Sequence, residues 1–296
     1  MAAADPGELQ VFLKDYEKWV IDVLTPARLK LRAIIDEWRK PDHWKKNISD
    51  GRQPLPSPIH RTTSRIKRPE SAADKILRKP ASFPDGLSLA SIKKMPDAVG
   101  ARIITYFLAG IPIVHNEIIN HPLIEIYPEE PPIAYLDDRF LRKLGLDDIK
   151  RADKDSGYSS IHYLIRLKRE VLDGFESPLI EVQLRTLTLN TWAEIEHVLG
   201  YKPQKRTSFA VQKQFEILAR ELAAIDEHFN FLYEEQTRYR NEKDIRDTDP
   251  LNAENLPAIL NEFDLNCAQH EIDGLLKLLA SRGIMVVKDL RDSLQR

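Results

Sequence analysis

Stretches in the middle of the chain alternate apolar with polar residues. In 179–185, Ile180, Val182 and Leu184 occupy one set of positions and Glu181, Gln183 and Arg185 the other. In 159–167, Ser160 and His162 share a set opposite Ile161, Tyr163 and Ile165, and 101–108 is a β-branched and aromatic run. Successive side chains on a strand point to opposite faces, so the pattern predicts three strands whose polar faces form one surface. A short helix over 113–119 and a short strand near 123–127 fit between the first two.

Helical spacing dominates the ends. Residues 9–40 place Val11, Phe12, Trp19, Val20, Val23, Leu24, Leu29, Leu31, Ile34 and Ile35 at helical intervals, with a bend expected at Pro26. Prolines 41, 54, 56 and 58 with Gly51 mark a loop leading to about Arg61. The acidic, proline-bearing stretch 128–138 reads as surface loop. Thr191 is expected to cap a helix running through Trp192 and Leu199 to Gly200. A long helix follows over 208–240, then a polar linker over 241–250, then short helices around Gly283 within 256–294. The pattern predicts an α+β protein with three parts: an N-terminal helical region and Pro-rich loop (1–60), a central domain with its trailing helix (61–245), and a small helical appendage (251–296).

Composition narrows the class. The 296 residues are 42% hydrophobic, enough for a sizeable core. No apolar run approaches the roughly 20 residues that span a bilayer, and the first residues lack a basic segment leading into an apolar core, so a cytoplasmic protein without a membrane partner is expected. The single Cys267 excludes an internal disulfide and a cysteine-rich metal site. Net charge is −2, yet between Arg61 and Pro80 seven basic residues face two acids. That segment suits an anion.

Phosphoryl-type transfer needs cations for the phosphates, carboxylates for a divalent metal and a group to take the proton of the attacking hydroxyl. Asp97 and Glu181 are the carboxylate candidates; Arg65, Lys67, Lys75, Arg78 and Lys154 are the candidate phosphate partners. No Gly-x-x-x-x-Gly-Lys-Ser/Thr loop or Gly-x-Gly-x-x-Gly is present, so side chains must form the phosphate cradle.

Arg65-x-Lys67-x-x-x-Ser71-x-x-x-Lys75, Asp97-x-x-Gly100-x-Arg102, Lys154-x-x-Gly157-Tyr158-x-Ser160-x-His162 and Glu181-x-Gln183-x-Arg185-Thr186 occur in that order, followed by Asn190-x-Trp192-Ala193, Glu196-His197 and Tyr201-Lys202. In order and spacing they resemble the synthetase domain of the RelA/SpoT alarmone synthetases. The resemblance implies a mixed sheet flanked by helices, nucleotidyltransferase-like, with helical extensions at both ends. It also implies transfer of the β,γ-pyrophosphate of ATP to the ribose 3′-hydroxyl of GDP or GTP, giving (p)ppGpp and AMP in the stringent response. Carried over residue by residue, Arg65 and Arg102 would sandwich the adenine, with Lys67, Ser71, Lys75 and Arg78 on the ATP phosphates. Asp97 and Glu181 would hold Mg2+, Glu181 also taking the proton of the 3′-hydroxyl. Tyr158 would stack on the acceptor base and Asn190 bond its edge, while Lys154, Ser160, His162, Gln183 and Arg185 orient the acceptor and phosphates. A homo-oligomer is in keeping with the resemblance. Nothing matches the family's His-Asp hydrolase domain, so no hydrolase activity is expected. Asp153 replaces the proline usual before the lysine of the Gly-Tyr motif, and Ala72 stands where a larger apolar residue is usual. An alternative is a toxic relative that pyrophosphorylates the 3′ end of tRNA or an adenine nucleotide, for which Lys202, Lys205, Arg206 and Lys213 form the candidate extra basic patch.

Overall fold

The computed structural model describes residues 5–47, 57–146, 149–152, 158–172, 177–199, 208–243, 245–263, 265 and 267–295. The chain opens with helix α1 (Pro6–Trp19), whose first turn is capped by the Asp5 carboxylate. A π-helical turn over Val20–Leu24 joins it to α2 (Thr25–Glu37), with Pro26 in the first turn of α2. The bend expected at Pro26 is therefore a π turn just before it; proline lacks an N–H, and in the first helical turn that donor has no intrahelical partner to lose. Phe12, Tyr16, Leu24, Leu31 and Ile35 are buried. The stretch read as loop contains a short 3-10 helix, Pro41–Asn47.

The central elements follow as β1 (Ile59–Ile66), α3 (Pro69–Arg78), α4 (Leu89–Lys93), β2 (Val99–Thr105), α5 (Gly110–Asn120), β3 (Ile124–Ile126), β4 (Ile133–Tyr135), α6 (Asp138–Lys143), β5 (Lys150–Arg151), β6 (Ser160–Leu167), β7 (Ile180–Thr186), α7 (Leu187–Leu199) and α8 (Phe209–Lys243). Seven strands form one mixed sheet in the order β1-β2-β7-β6-β4-β5, with β3 also on β6. The central pair β2–β7 is parallel, with Gly100 opposite Glu181 and Arg102 opposite Gln183, while β1 and β6 flank it antiparallel.

The expected strand alternation is present: Ile180, Val182 and Leu184 are at most 2% exposed and form the core side of β7, with Ile161, Tyr163 and Ile165 on β6. Two expectations are corrected. Residues 128–138 are not all loop: Ile133, Ala134 and Tyr135 form β4, paired to both β5 and β6, because this apolar triplet can bury Ala134 completely. Helix α7 begins before Thr191, which lies one turn inside and donates its hydroxyl to the Leu187 carbonyl. The Thr186 hydroxyl instead accepts from the Leu189 amide, the capping task expected of Thr191. Gly200 lies outside the described residues.

The chain divides into two compact units, one within 1–43 and 56–230, the other within 44–55 and 231–296. The second contains α9 (Leu256–Asn261), α10 (Ile272–Ser281) and α11 (Val287–Leu294). Leu256, Ile259, Ile272, Val287 and Leu290 form its core, and Gly283, at φ 79°, makes the left-handed turn after α10 that favours glycine. Arg291 ties the unit together by ion pairs to Asp247 (2.6 Å) and Glu262 (2.7 Å). Among the described residues, no helix is long and apolar enough to cross a membrane.

Candidate active site

One group of candidate residues gathers where β1 leaves the sheet and β2 enters it. Lys67 follows β1, and its backbone amide donates to the Ala98 carbonyl in the turn before β2, which sets Lys67 beside Asp97. Lys75 stands on α3, whose buried Ala72, Ala73 and Ile76 turn one face to the core. Lys67 Nζ lies 2.7 Å from Asp97 Oδ2 and Lys75 Nζ 2.6 Å from Asp97 Oδ1. Burial by itself would raise the Asp97 pKa, but the hydrogen bonds and charges of the two lysines outweigh it and hold the carboxyl below the usual carboxylate range. From below, the buried Tyr16 of α1 donates its hydroxyl to the Lys67 carbonyl at 2.9 Å. Burial, with the Asp97 charge adding to it, raises the Tyr16 pKa, so this donor stays protonated.

A second group lies along β6 and β7. Gln183 donates to Glu181 Oε1, and His162 Nδ1 is 3.9 Å from the same oxygen. Arg185, only 2% exposed, donates to Gln183 Oε1 at 2.5 Å, to Ser160 Oγ at 3.3 Å and to the Tyr158 hydroxyl. The Tyr158 hydroxyl also pairs with His162 Nε2 at 2.8 Å. Burial lowers the Arg185 pKa and raises that of Tyr158, the Arg185 charge opposing the latter. The guanidinium sits 4.8 Å over the Tyr158 ring, which also meets Tyr135 and Trp192 edge-on at 5.9 and 6.2 Å. Tyr158 is therefore held within an aromatic and cationic cluster that Phe215 of α8 extends behind Trp192.

The remaining candidates are dispersed around these groups. Arg65 pairs across the sheet with Gly100 and is exposed. Ser71 is exposed at the start of α3, and Arg78, at its end, forms an ion pair with Asp74 rather than with Asp97. Arg102 on β2 forms an ion pair with Glu194 of α7. Asn190 is on α7, one turn before Glu194, and its Oδ1 is buried with no hydrogen-bond partner among the described residues. Lys154, Gly157, Tyr201, Lys202, Lys205 and Arg206 lie outside the described residues.

Sequence reasoning did not single out Tyr16, Tyr135 or Glu194. The stretch containing Tyr135 read as loop, and Tyr16 and Glu194 act through contacts more than 50 residues away. A cavity of about 640 Å³ between α6 and α8 is lined by none of the candidate residues, so volume alone does not locate this chemistry.

Residues 64–206 match the family model described as the region found in RelA / SpoT proteins. The chain is similar to two Bacillus subtilis (strain 168) proteins, GTP pyrophosphokinase YjbM (31% identity over 146 residues) and GTP pyrophosphokinase YwaC (29% over 147). Each match covers 49% of this chain, and the chain spans 58% and 60% of the length of these relatives. In three dimensions it resembles small alarmone synthetase 1 of Bacillus subtilis bound to its product pppGpp, with a TM-score of 0.57, 24% identity, and 75% of this chain and 98% of the other covered. It also resembles a GTP pyrophosphokinase family protein of Streptococcus pneumoniae, with a TM-score of 0.55, 25% identity, and 76% and 96% covered. The mixed, helix-flanked sheet with helical extensions is the fold of these proteins. Over residues 64–206, then, this chain is similar in sequence to the RelA/SpoT family.

Proposed function

We propose that the chain is a (p)ppGpp synthetase that transfers the β,γ-pyrophosphate of ATP to the 3′-hydroxyl of GDP or GTP. The acceptor 3′-oxygen attacks the β-phosphorus, the bond from that phosphorus to the α,β-bridging oxygen breaks, AMP leaves, and the hydroxyl proton passes to the Glu181 carboxylate. The observation that carries this reading is the Lys67–Asp97–Lys75 cluster within a region that matches the RelA/SpoT model. Such lysines can exchange a carboxylate for phosphate oxygens at little electrostatic cost. Arg65 and Arg102 present planar guanidinium groups for the adenine, and Ser71 and Arg78 extend the cationic helix α3 toward the phosphates.

Asp97 and Glu181 would hold Mg2+. The donor set fits this ion: both ligands are hard carboxylate oxygens, borne by the turn before β2 and by its parallel neighbour β7. No group of three or more His, Cys, Asp or Glu able to hold a metal occurs among the described residues, so substrate phosphates would complete the shell, as Mg2+ commonly requires. When bound, the ion would neutralise charge on the transferring phosphates. On the acceptor side, Tyr158, Asn190, Lys154, Ser160, His162, Gln183 and Arg185 would orient the guanine nucleotide, within a synthetase domain spanning 61–245.

The test is Glu181→Gln. Product formation should fall by about 100-fold or more, the usual range for a lost proton acceptor, while ATP binding measured by calorimetry stays near wild type. Loss of ATP binding along with turnover would make Glu181 a structural residue and overturn its assignment.

A further inference from the structure

Helix α8 carries two buried polar side chains one turn apart, Asp226 and Asn230, each 1% exposed. Both grip the ends of the central parallel strands. Asn230 Oδ1 accepts from the Ala109 amide at 2.7 Å, just beyond β2. Asp226 Oδ2 accepts from the hydroxyl of Thr186, the last residue of β7, at 2.5 Å. The other carboxyl oxygen, Asp226 Oδ1, is buried with no hydrogen-bond partner among the described residues. Thr186 and Thr188 lie between Arg185, which organises Tyr158 and Gln183, and Asn190, whose buried Oδ1 is unpartnered among the described residues.

The geometry points to Asp226 as a positioning residue for acceptor binding: it fixes the strand-to-helix turn 186–189 and so sets Arg185 and Asn190 at the spacing the acceptor nucleotide reads. The inference rests on the acceptor-side assignment proposed above. Burying a carboxylate costs free energy that an apolar residue would avoid, so packing alone does not account for an aspartate here. The carboxylate instead accepts from the Thr186 hydroxyl, which itself accepts from the Leu189 amide, so one chain of hydrogen bonds runs from α8 into the first turn of α7. Among the described residues, Lys67, Lys75 and Asp97 on the ATP side make no hydrogen bond or ion pair with this turn, and Arg102 pairs with Glu194 farther along α7. Displacing the turn should therefore be felt by the acceptor and not by ATP.

The experiment measures initial rates for Asp226→Ala and Asp226→Asn with ATP and GDP each varied, alongside calorimetric GDP binding. Asp226→Ala should raise the GDP Michaelis constant about tenfold or more and weaken GDP binding in parallel, with the ATP constant within about twofold of wild type. Asp226→Asn keeps an acceptor for Thr186 and should recover most of that loss. If Asp226→Ala fails to fold, Thr186→Val removes the same hydrogen bond from the other side and should give the same selective defect. Equal effects on both substrates, or no rescue by asparagine, would overturn the positioning role. The absence of product from the wild-type chain would instead defeat the proposed function.

Discussion

Tyr158 serves two demands. In the acceptor-stacking role proposed for it, it needs a free ring face, yet the Arg185 guanidinium lies over its ring and Trp192 packs on its edge. An incoming base must then compete with Arg185, whose remaining bonds to Gln183 and Ser160 give the guanidinium an alternative resting place. Tyr158→Phe should keep the ring packing and lose only the hydroxyl's bonds to Arg185 and His162, at about 1 kcal/mol of stability. Tyr158→Ala should cost about 2–3 kcal/mol and raise the acceptor Michaelis constant more than that of ATP. Denaturant unfolding and two-substrate kinetics check both; equal rises for the two substrates would remove the stacking role.

At the scale of elements, α8 braces the sheet through a carboxyl whose ionisation is unfavourable. Burial pushes the Asp226 pKa up to about 6 from a usual 3.8, the hydroxyls of Thr186 and Thr188 only partly opposing it. The folded state therefore binds this proton more tightly than the unfolded chain. The resulting stabilisation is complete below about pH 4 and is lost as pH rises through about 6, with a magnitude of about 3 kcal/mol. Asp226→Asn, which cannot ionise, should be more stable than wild type at pH 7.5, and the difference should shrink by about 2–3 kcal/mol at pH 4.5. A pH-independent difference in chemical denaturation would show that Asp226 is not perturbed. This device was not legible in the sequence, because the 208–240 periodicity marks Asp226 only as a polar interruption and its partners lie 40 residues away. By contrast, strands β6 and β7 and the long helix were legible, since alternation and helical spacing are local signals. β4 and the start of α7 were missed: a three-residue strand has too few positions to show a period, and Thr186 and Thr191 are equally good caps until the strand end is known. The polar alternation on β6 and β7 foretold the shared face of Glu181, Gln183, His162 and Arg185, but not that Tyr158, backed by Trp192 and Phe215, covers Arg185.

At the scale of the whole molecule, the cation-rich segment 61–79 adjoins the parallel strand pair β2–β7, across which we propose the two substrates meet. ATP is assigned to Lys67, Lys75 and Asp97 at the entry of β2, and the acceptor to β6, β7 and the turn into α7. The most direct measurement incubates the purified chain with γ-labelled ATP and Mg2+, offering GDP, GTP, ATP or bulk tRNA in parallel, and resolves the products by chromatography. Label should appear on GDP or GTP together with AMP, and should be absent from ATP as acceptor and from tRNA. Label on tRNA alone, or on no acceptor at all, would contradict the assignment of this chain as a (p)ppGpp synthetase.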